Sequence, residues 1–512
     1  MVGQWISPEF LGVLGATVVC VIFTLAWYLH QQHLKYDHLP GPPRDSFWSG
    51  HLPSIQKVIS NGGIFDDYIL ELTKTYGPIL RLCMFHQTFV MIADPELVKE
   101  VLVTGTHPKS KTIYSNSTHL FGARYLGRGI ESERDQKFWI IQRMHMDHWF
   151  KPNHLRHFTA DFNEFADSFV RQMEQYADGK THVPMETLLH KVTLHLLSKV
   201  AFNFDLGKID ERSHPFAFYL EFALSAFIKK VLNPFFAMNP LNWKYCIEVR
   251  NAVKQLRLNA QEQIDERKKS KLRGDYMPSD LLESFLELQE KRPSEITDDV
   301  LVDNFVTFYI AGEDTTANTL SFMITLLAQN PESYKKLQEE IDSNVASLSV
   351  LTTADLDDLP YLDMVVKETL RLFPVIKQTF RETGRDCNIG GYKLPIKTDL
   401  VVSFYATSRS PKTWTDPELF IPERFDPKRN EKIGSYMSTP FSAGPHTCIG
   451  KKFALIETKI LMAKMVQNFD FELVPNQPMG VIDKTMLHPA GGAMCLLRPR
   501  KETQCKTGAT TQ

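Results

Sequence analysis

The sequence predicts a mainly α-helical protein with small β-sheets, preceded by an N-terminal transmembrane helix. Apolar residues recur at helical spacing through long segments such as 187–204 and 251–272. Short runs near 79–94 and 391–409 are rich in β-branched and aromatic residues and favour strands joined by turns. An uncharged run over 10–29 has the length needed to cross a bilayer.

The apolar run is interpreted as an uncleaved membrane anchor. Trp27 and Tyr28 stand at its end, where aromatic residues commonly meet the membrane–water interface. The alternative is a cleaved signal peptide, but the run is long, lacks a basic start and has no convincing small-residue cleavage site. Lys35 and several histidines follow the run, which favours a cytosolic position for its C-terminal side.

Four segments are predicted along the chain. Residues 1–29 form the anchor, and residues 30–43 form a hinge ending in LPGPP, because clustered prolines make a stiff connector. Residues 44–500 form the main domain, and residues 501–512 a flexible tail. The net charge of −2 gives no reason to expect a nucleic-acid partner. Seven scattered cysteines without a CxxC pair indicate neither a disulfide framework nor a zinc site, and therefore a reducing compartment.

A glycine-punctuated loop, FSAGPHTCIG, carries the strongest chemical signal. Its Cys448 directly precedes a helix-like pattern that begins near Lys451. A thiolate at the start of a helix is stabilised by the helix dipole. Gly444 and Gly450 let the backbone approach a flat, bulky group closely. These features predict a cysteine that binds a metal, and the alternative is a buried free cysteine.

A long buried helix is predicted from about Thr297 to Asn330, and its centre carries a second signal. The stretch AGEDTT, from Ala311 to Thr316, goes against helix preference. Glycine costs about 1 kcal/mol relative to alanine in a helix interior, and threonines can bond back to helix carbonyls. We predict a local break that gives a ligand room, with an acid and a hydroxyl that relay protons. The alternative is a simple packing notch.

A third signal combines an acid with two arginines. Glu368 and Arg371 lie three residues apart, and therefore on one face of a predicted helix. Such a pair is commonly solvated and worth little, but leucines and valines surround this one. Arg424 follows in the loop FIPERFDP. We predict a buried cluster of the three side chains that fixes this loop under the Cys448 segment, because the arginine fork suits bidentate contacts.

The chain resembles the microsomal cytochromes P-450, the haem-thiolate monooxygenases. The resemblance rests on five motifs in family order and at family spacing: the proline hinge, AGEDTT, KETLRLFP, FIPERFDP and the Cys448 loop. The resemblance extends from Leu39 to about Arg500. It implies the cytochrome P-450 fold, heme b (iron protoporphyrin IX), O2 as co-substrate and electrons from NADPH. It also implies that 44–500 is the haem-binding catalytic domain of a single-pass protein of the endoplasmic reticulum membrane, facing the cytosol. The implied partners are membrane lipid, NADPH-cytochrome P-450 reductase and cytochrome b5.

The resemblance assigns roles to residues that match family motifs. Cys448 matches the axial thiolate ligand of the haem iron, whose electron donation favours O–O cleavage, and Phe441 the aromatic ring beside that sulfur. Thr315 matches the hydroxyl that directs protons to dioxygen, with Asp314 as the neighbouring acid. The other matches are Trp139, Arg143 and Arg381 for the haem propionates, Gly444 and Gly450 for the ligand loop, Ala311 for a haem contact, and Glu368, Arg371 and Arg424 for a structural triad.

One residue departs from the family pattern. His446 stands two residues before Cys448, where the family normally has arginine. A neutral histidine offers one donor, whereas arginine offers five and a permanent charge. We therefore predict a propionate that is held less firmly and haem retention that is more sensitive to pH. Ligation of iron by His446 itself is the alternative, and it is disfavoured because Cys448 keeps the ligand position.

The substrate is expected to be apolar, with a sterol side chain favoured. Segments outside the motifs, at 39–53, 302–318 and 453–475, look most like those of a sterol side-chain hydroxylase of this family. A fatty-acid or xenobiotic hydroxylase is the alternative within the family. A haem-thiolate isomerase or dehydratase, and a non-catalytic haem protein, are disfavoured because the pair Asp314 and Thr315 is intact.

Five stretches are expected to line the substrate pocket: 112–130, 215–240, 305–311, 375–380 and 486–489. The second of them is unusually rich in phenylalanine. It is interpreted either as a pair of core helices or as an apolar lid that dips into the membrane surface and admits substrates from lipid.

Overall fold

The computed structural model describes residues 8–204, 206, 215–233, 235–429 and 433–500, so the predicted tail 501–512 lies outside the described residues. Helices dominate the main domain, as predicted. In chain order, the α-helices are α1 (Pro8–Leu34), α2 (Leu52–Ser60), α3 (Phe65–Tyr76), α4 (Pro95–Lys99), α5 (Lys111–Thr118), α6 (Gln136–Met146), α7 (Pro152–Leu155), α8 (Thr159–Glu174), α9 (Met185–Phe202), α10 (Pro215–Leu232), α11 (Trp243–Arg273), α12 (Leu281–Lys291), α13 (Asp298–Gln329), α14 (Pro331–Asn344), α15 (Thr353–Asp357), α16 (Pro360–Leu372), α17 (Phe404–Ser408) and α18 (Lys451–Asn468).

The strands are short and form several small sheets. They are β1 (Ile79–Met84), β2 (Gln87–Ile92), β3 (His119–Leu120), β4 (Ala123–Arg124), β5 (Val183–Pro184), β6 (Gln378–Glu382), β7 (Cys387–Ile389), β8 (Tyr392–Leu394), β9 (Asp399–Ser403), β10 (Phe469–Leu473), β11 (Val481–Asp483), β12 (Leu487–Pro489) and β13 (Met494–Pro499). The largest sheet has the order β1-β2-β9-β6, with β2 and β9 parallel and the other neighbours antiparallel. A three-stranded sheet has the order β10-β13-β5.

The hairpin predicted near 79–94 is confirmed. Strands β1 and β2 pair antiparallel, and β2 leads into α4. The Asp94 side chain caps this helix, because its carboxylate accepts hydrogen bonds from the backbone amides of Glu96 and Leu97. The strands predicted near 391–409 are β8 and β9, and every residue of β9 is buried between β2 and β6.

Helix α1 contains the predicted anchor. The stretch Gly12–Leu34 is long and apolar enough to cross a membrane, and most of it is exposed on the protein. The helix ends at Leu34, so its last residues belong to the segment 30–43 that was expected to be hinge. The reason is contact with the main domain: His33 is buried, and its Nε2 lies 3.2 Å from the carbonyl oxygen of Phe85 in the β1–β2 turn.

Helix α13 is the central element of the main domain, and most of its side chains are buried. It packs against α9, α11, α16, α18 and strand β12. At Gly312 an added Cβ would lie 2.9 Å from a methyl group of Leu197 on α9. The helix continues without interruption through this stretch, so its hydrogen-bonded backbone is not broken there. The glycine permits close packing of α9, and the Thr315 hydroxyl donates to the Ala311 carbonyl at 2.8 Å within the helix.

The first part of the phenylalanine-rich segment 215–240 forms helix α10, which packs against α11, and a short 3-10 helix follows at Phe236–Met238. Phe216 is buried and contacts the Tyr309 ring of α13, with ring centroids 4.7 Å apart. Phe218 and Phe235 are exposed. The segment therefore combines a core-facing side with an exposed apolar side.

Candidate functional site

A cavity of about 1140 Å³ lies beside α13 in the interior of the main domain. All five stretches expected to line the pocket contribute to its walls, through residues such as Ile113, Phe227, Phe308, Phe380 and Met486. Many other residues of those stretches, among them Phe305, Tyr309 and His488, are not lining residues. Sequence reasoning missed further walls from α2, α3, the β1–β2 hairpin and β11, which are local elements that approach the cavity only in the fold.

The Cys448 loop forms one wall of this cavity. The Cys448 amide donates to the Phe441 carbonyl at 2.9 Å, which closes the loop before α18 begins. Gly444 has φ of +71°, and an added Cβ would lie 2.0 Å from the carbonyl oxygen of Leu102, so a side chain is excluded there. At Gly450 an added Cβ would lie 3.9 Å from the Cys448 sulfur, an ordinary contact.

The Cys448 thiol lies deep in the protein but is accessible through the cavity. Cys448 is exposed to solvent-sized molecules, and Phe441, Cys448 and Gly450 all line the cavity. The surrounding protein raises the pKa of the thiol through burial, whereas the Gly450 amide lowers it. Arg143 and Lys451 also lower the pKa, but burial outweighs them, so the thiol form is favoured, and a bound metal ion would stabilise the thiolate.

The helix α13 contributes Ala311 and Thr315 to the same cavity. Asp314 is not a lining residue and is buried against α9 and β12. Its Oδ1 accepts a hydrogen bond of 2.8 Å from Asn318. Burial and the charge of Glu313 raise the pKa of Asp314, so its protonated form is favoured relative to an exposed aspartate. The acid and the hydroxyl predicted as a pair therefore lie on different sides of one helix.

A cationic cluster forms another part of the cavity wall. Arg143, Arg381 and Lys109 all line the cavity together with Trp139 and His446. The Arg143 Nη1 donates to the Thr447 carbonyl at 2.7 Å, and the Arg381 Nη1 donates to the Phe380 carbonyl at 2.8 Å. Lys109 was missed by sequence reasoning because it belongs to no motif. A backbone bridge to Arg381 brings it into the cluster.

His446 lies at the centre of this cluster. Its ring centroid is 3.9 Å from that of Trp139. Burial, followed by the charges of Arg381, Lys109 and Arg143, lowers the pKa of His446 to about 3. The imidazole is therefore neutral at neutral pH. Its Nδ1 is buried and has no hydrogen-bond partner among the residues that the structure describes.

These observations test whether a haem fits the cavity. A soft sulfur ligand is accessible on one wall, as iron–thiolate coordination requires. Three cations and the unpartnered His446 Nδ1 offer charge and a polar contact for carboxylate groups such as the haem propionates. Burial and the charges of Arg381 and Arg143 lower the pKa of Lys109 to about 8, against opposing effects of Glu131 and Glu133. A bound anion would relieve this repulsion, so the residues fit the cofactor.

The predicted acid–arginine cluster is present and buried. Arg371 donates from Nε and Nη2 to the two Glu368 oxygens at 2.7 and 2.8 Å, and the Arg424 Nε donates to Glu368 at 3.2 Å. Arg371 also donates to the carbonyls of Pro417 and Leu419 at 2.7 and 3.1 Å. The cluster therefore joins α16 to the loop that precedes the segment Pro422–Phe425.

Comparison with known proteins gives a consistent result. A family model described as cytochrome P450 matches residues 40–500. Cytochrome P450 3A6 of Oryctolagus cuniculus is 27% identical over 85% of this chain and 86% of its own length. Cytochrome P450 3A17 of Cavia porcellus is 26% identical over 94% and 97%, and cytochrome P450 3A13 of Mus musculus is 27% identical over 96% and 97%. The chain therefore belongs to the cytochrome P450 family, the monooxygenases that hold a haem through a cysteine thiolate and use O2 with electrons from NADPH.

Proposed function

We propose that this monooxygenase uses Cys448 as its axial haem ligand and Thr315, with Asp314 behind it, for proton delivery. The observation that carries the proposal is that Cys448 and Thr315 line one cavity. When bound, the haem supplies the redox centre at which dioxygen is activated. The residues of the chain would bind the propionates, exclude water with apolar walls and supply protons from α13.

The cationic cluster has the charge needed to orient the cofactor. Arg143, Arg381 and Lys109 would hold the propionates, with His446 as a neutral donor and Trp139 packed against its ring. The Thr315 hydroxyl donates a hydrogen bond to the Ala311 carbonyl, and its oxygen can still accept a further hydrogen bond. The raised pKa of Asp314 favours a protonated acid directly before Thr315 in the chain, held on the side of α13 that faces away from the cavity.

Replacement of Thr315 by valine is expected to uncouple oxygen consumption from product formation. Valine keeps the shape of the side chain but removes the hydroxyl. Proton delivery should therefore slow by about 100-fold, the lower end of the rate enhancement that a general acid–base group contributes. Product formed per NADPH should fall and hydrogen peroxide should rise. The Thr325→Val variant is the control, because the Thr325 hydroxyl also bonds back along α13, at 2.9 Å to Ser321, but does not line the cavity. Equal coupling in the two variants would contradict the role of Thr315.

Replacement of His446 by arginine is expected to strengthen haem retention at neutral pH. A charge-assisted hydrogen bond exceeds a neutral one by about 1 kcal/mol, which corresponds to roughly fivefold slower haem loss. The rate of haem transfer to a scavenging protein measures the effect. His446→Gln, which keeps a neutral donor, is the control and should show no gain. An arginine variant that loses haem as fast as the native chain would refute the prediction.

For the substrate, we propose a sterol side chain, in a reaction like that of cholesterol 24-hydroxylase. The support is the similarity of segments 39–53, 302–318 and 453–475, together with the size and apolar walls of the cavity. Pockets for a single ligand commonly have volumes of about 300–1000 Å³, and the cavity of about 1140 Å³ exceeds that range. Phe227, Phe308 and Phe380 are among its apolar walls.

The test is turnover by the full chain with reductase and NADPH on a mixed panel of sterols, fatty acids and xenobiotics. Oxygenated sterol is expected as the main product. Oxygenated fatty acid or xenobiotic, with sterol product only at background, would overturn the sterol proposal and leave the monooxygenase chemistry intact. Rearranged or dehydrated product without NADPH consumption would overturn both, as would haem binding without any product.

We also propose that the protein is anchored by α1 in the endoplasmic reticulum membrane and faces the cytosol. Exposed apolar side chains at Phe235, Met238, Leu241 and Trp243 support a membrane-facing entrance. Phe235 lines the cavity, and its ring centroid lies 5.7 Å from that of Phe85. Phe85 belongs to the β1–β2 turn, which His33 near the end of α1 contacts. The same apolar surface thus adjoins both the anchor and the cavity.

For electron transfer, we propose NADPH-cytochrome P-450 reductase as the partner, with cytochrome b5 as a second donor. The support is the exposed position of Lys451 and Lys452, which follow the ligand loop directly and suit an acidic docking surface. Lys137 is also exposed, whereas Arg134 is paired with Glu382 at 2.7 Å.

A further inference from the structure

Three charged side chains meet at the cavity, where α3, β6 and β11 come together. Asp66 belongs to α3, Asp483 ends β11, and Lys377 directly precedes β6. Lys377 and Asp483 line the cavity, whereas Asp66 lies behind them. None of the three belongs to the cationic cluster that would hold the haem propionates. They are therefore a second charged part of the cavity wall.

Lys377 links the two carboxylates. Its Nζ forms an ion pair with Asp483 Oδ2 and lies 3.4 Å from Asp66 Oδ2. The backbone is held as well, since the Lys377 carbonyl accepts hydrogen bonds from the amides of Phe404 and Tyr405 at 2.8 and 3.1 Å. The ammonium group is therefore fixed between the two acids.

The turn that follows Asp483 is also constrained. Thr485 has φ of +93°, a conformation that β-branched residues rarely adopt. Its amide donates to Asp483 Oδ1 at 3.3 Å. The Leu487 amide donates to the Val375 carbonyl at 3.1 Å, which joins this hairpin to the segment before Lys377. The Asp483 carboxylate is therefore held in place at the cavity.

Apolar side chains flank the cluster. Ile64, Val375 and Met486 lie two or three residues from its members, line the cavity and belong to one buried apolar cluster. Asp66 is fully buried, and Lys377 is 9% exposed. Ion pairs in such surroundings lose much of their favourable energy to desolvation, so apolar side chains would pack equally well here. A few polar groups on an apolar wall are typical of contacts that orient a ligand.

The cluster has hydrogen-bonding capacity left for a ligand. An ammonium group has three donors, and Lys377 directs two of them toward Asp66 and Asp483. Each Asp483 oxygen accepts one hydrogen bond, from Lys377 or from the Thr485 amide, and can accept a second. Burial raises the pKa of Asp66 to about 6, against the opposing charge of Lys377. At neutral pH the two carboxylates and one ammonium group therefore carry one excess negative charge.

We propose that Lys377 and Asp483 bind the hydroxyl group of an otherwise apolar substrate, with Asp66 balancing the charge of Lys377. A hydroxyl is both a donor and an acceptor, so it can donate to Asp483 while it accepts from Lys377, and their ion pair stays intact. The excess negative charge would repel a carboxylate or a sulfate, and an amine would compete with Lys377 for its carboxylates. The cluster therefore selects an alcohol.

One consequence rests on the proposed function. Lys377, Asp483 and Cys448 line the same cavity. In a sterol, the hydroxyl and the side chain are at opposite ends of a rigid ring system. A sterol held by its hydroxyl at Lys377 and Asp483 presents its side chain, and not its ring hydroxyl, to the rest of the cavity. Recognition of the hydroxyl does not itself require that the alcohol is a sterol.

Equilibrium binding to the full-length, haem-loaded protein tests the site with two matched pairs of labelled compounds. Each pair is an alcohol and its deoxy analogue: cholesterol with cholest-5-ene, and 1-hexadecanol with hexadecane. The quantity compared is the ratio of the two dissociation constants within a pair, so that differences in solubility cancel between protein variants. The native chain is expected to bind an alcohol and to favour it over its deoxy analogue.

Asp483→Leu and Lys377→Met each remove one polar partner of the hydroxyl. In both variants the preference for the alcohol should fall about 10-fold, the lower end for a hydrogen bond to a charged group. Asp275→Leu is the matched control, because Asp275 is exposed, pairs with Arg273 at 3.0 Å and does not line the cavity. It should keep the native preference. The reduced carbon monoxide spectrum verifies that each variant is folded.

The proposal is overturned if the native chain binds neither alcohol, or if Asp483→Leu keeps the preference of the Asp275→Leu control. Equal weakening of the alcohol and its deoxy analogue also overturns it, because an ion cluster that only shapes the cavity would affect both compounds alike. If Lys377→Met fails to fold, Asp483→Leu decides the result.

The same measurements separate this site from the sterol proposal. A preference for 1-hexadecanol that the variants lose, without binding of cholesterol, would support the hydroxyl site and overturn the sterol substrate. Oxygenated sterol formed by a chain whose alcohol preference is unchanged in Asp483→Leu would support the sterol substrate and overturn the hydroxyl site.

Discussion

Replacement of Cys448 by serine is expected to abolish the thiolate-type absorption of the reduced carbon monoxide complex and to lower turnover to background. The thiolate sulfur donates electron density to the iron and favours O–O cleavage, and a serine hydroxyl does not replace this donation. The Cys448 thiol is the cavity-lining cysteine in the described ranges of the chain. A difference spectrum recorded at equal haem concentration measures the change.

The matched control is Cys387→Ser. Cys387 is partly exposed on β7 and does not line the cavity. This variant should keep the native spectrum and turnover. A thiolate-type band that survives in Cys448→Ser would mean that a different cysteine ligates the iron, and would contradict the proposed site.

Replacement of Glu368 by glutamine is expected to lower the free energy of unfolding by about 3–5 kcal/mol, the usual cost of breaking a buried ion pair. Glutamine keeps the shape but leaves the buried guanidinium groups of Arg371 and Arg424 without their shared carboxylate. The Ile421 amide also loses a charged acceptor at 2.9 Å. Urea unfolding followed by circular dichroism and by haem absorbance measures the shift.

The control for this effect is Glu339→Gln on α14. Glu339 and Lys335 are 66% and 76% exposed, and their charged atoms lie 3.8 Å apart, so the pair is screened by water. Its loss should change the free energy of unfolding by no more than about 0.5 kcal/mol. Equal shifts in the two variants would contradict a structural role for Glu368.

Much of the fold follows from local patterns. The apolar run predicts α1, runs rich in β-branched and aromatic residues around a turn predict β1 and β2, and buried helical spacing predicts α13 close to its observed bounds. The extension of α1 to Leu34 was missed because it depends on burial of His33 against Phe85. The room for a ligand expected at AGEDTT is present, since Ala311, Gly312 and Thr315 line the cavity. The helix is unbroken there, and Gly312 also packs against Leu197, which is distant in sequence.

The candidate site also has one part that local patterns predict and one part that depends on the fold. The motifs select Cys448, Thr315 and the Glu368 cluster, since these depend on residue type and short spacing. Lys109 lacks a motif, and its place beside Arg381 comes from a pairing between distant strands and loops.

By itself, the sequence determined the helical class, the membrane-length segment and the candidate residues for haem-thiolate chemistry. Only the tertiary structure decided which side of α13 each residue occupies. Thr315 lines the cavity, whereas Asp314 meets His190 and His488, brought there by α9 and β12. The physical reason is that periodicity and capping act over a few residues, whereas burial, charge and contact distance depend on segments that meet only after the chain has packed.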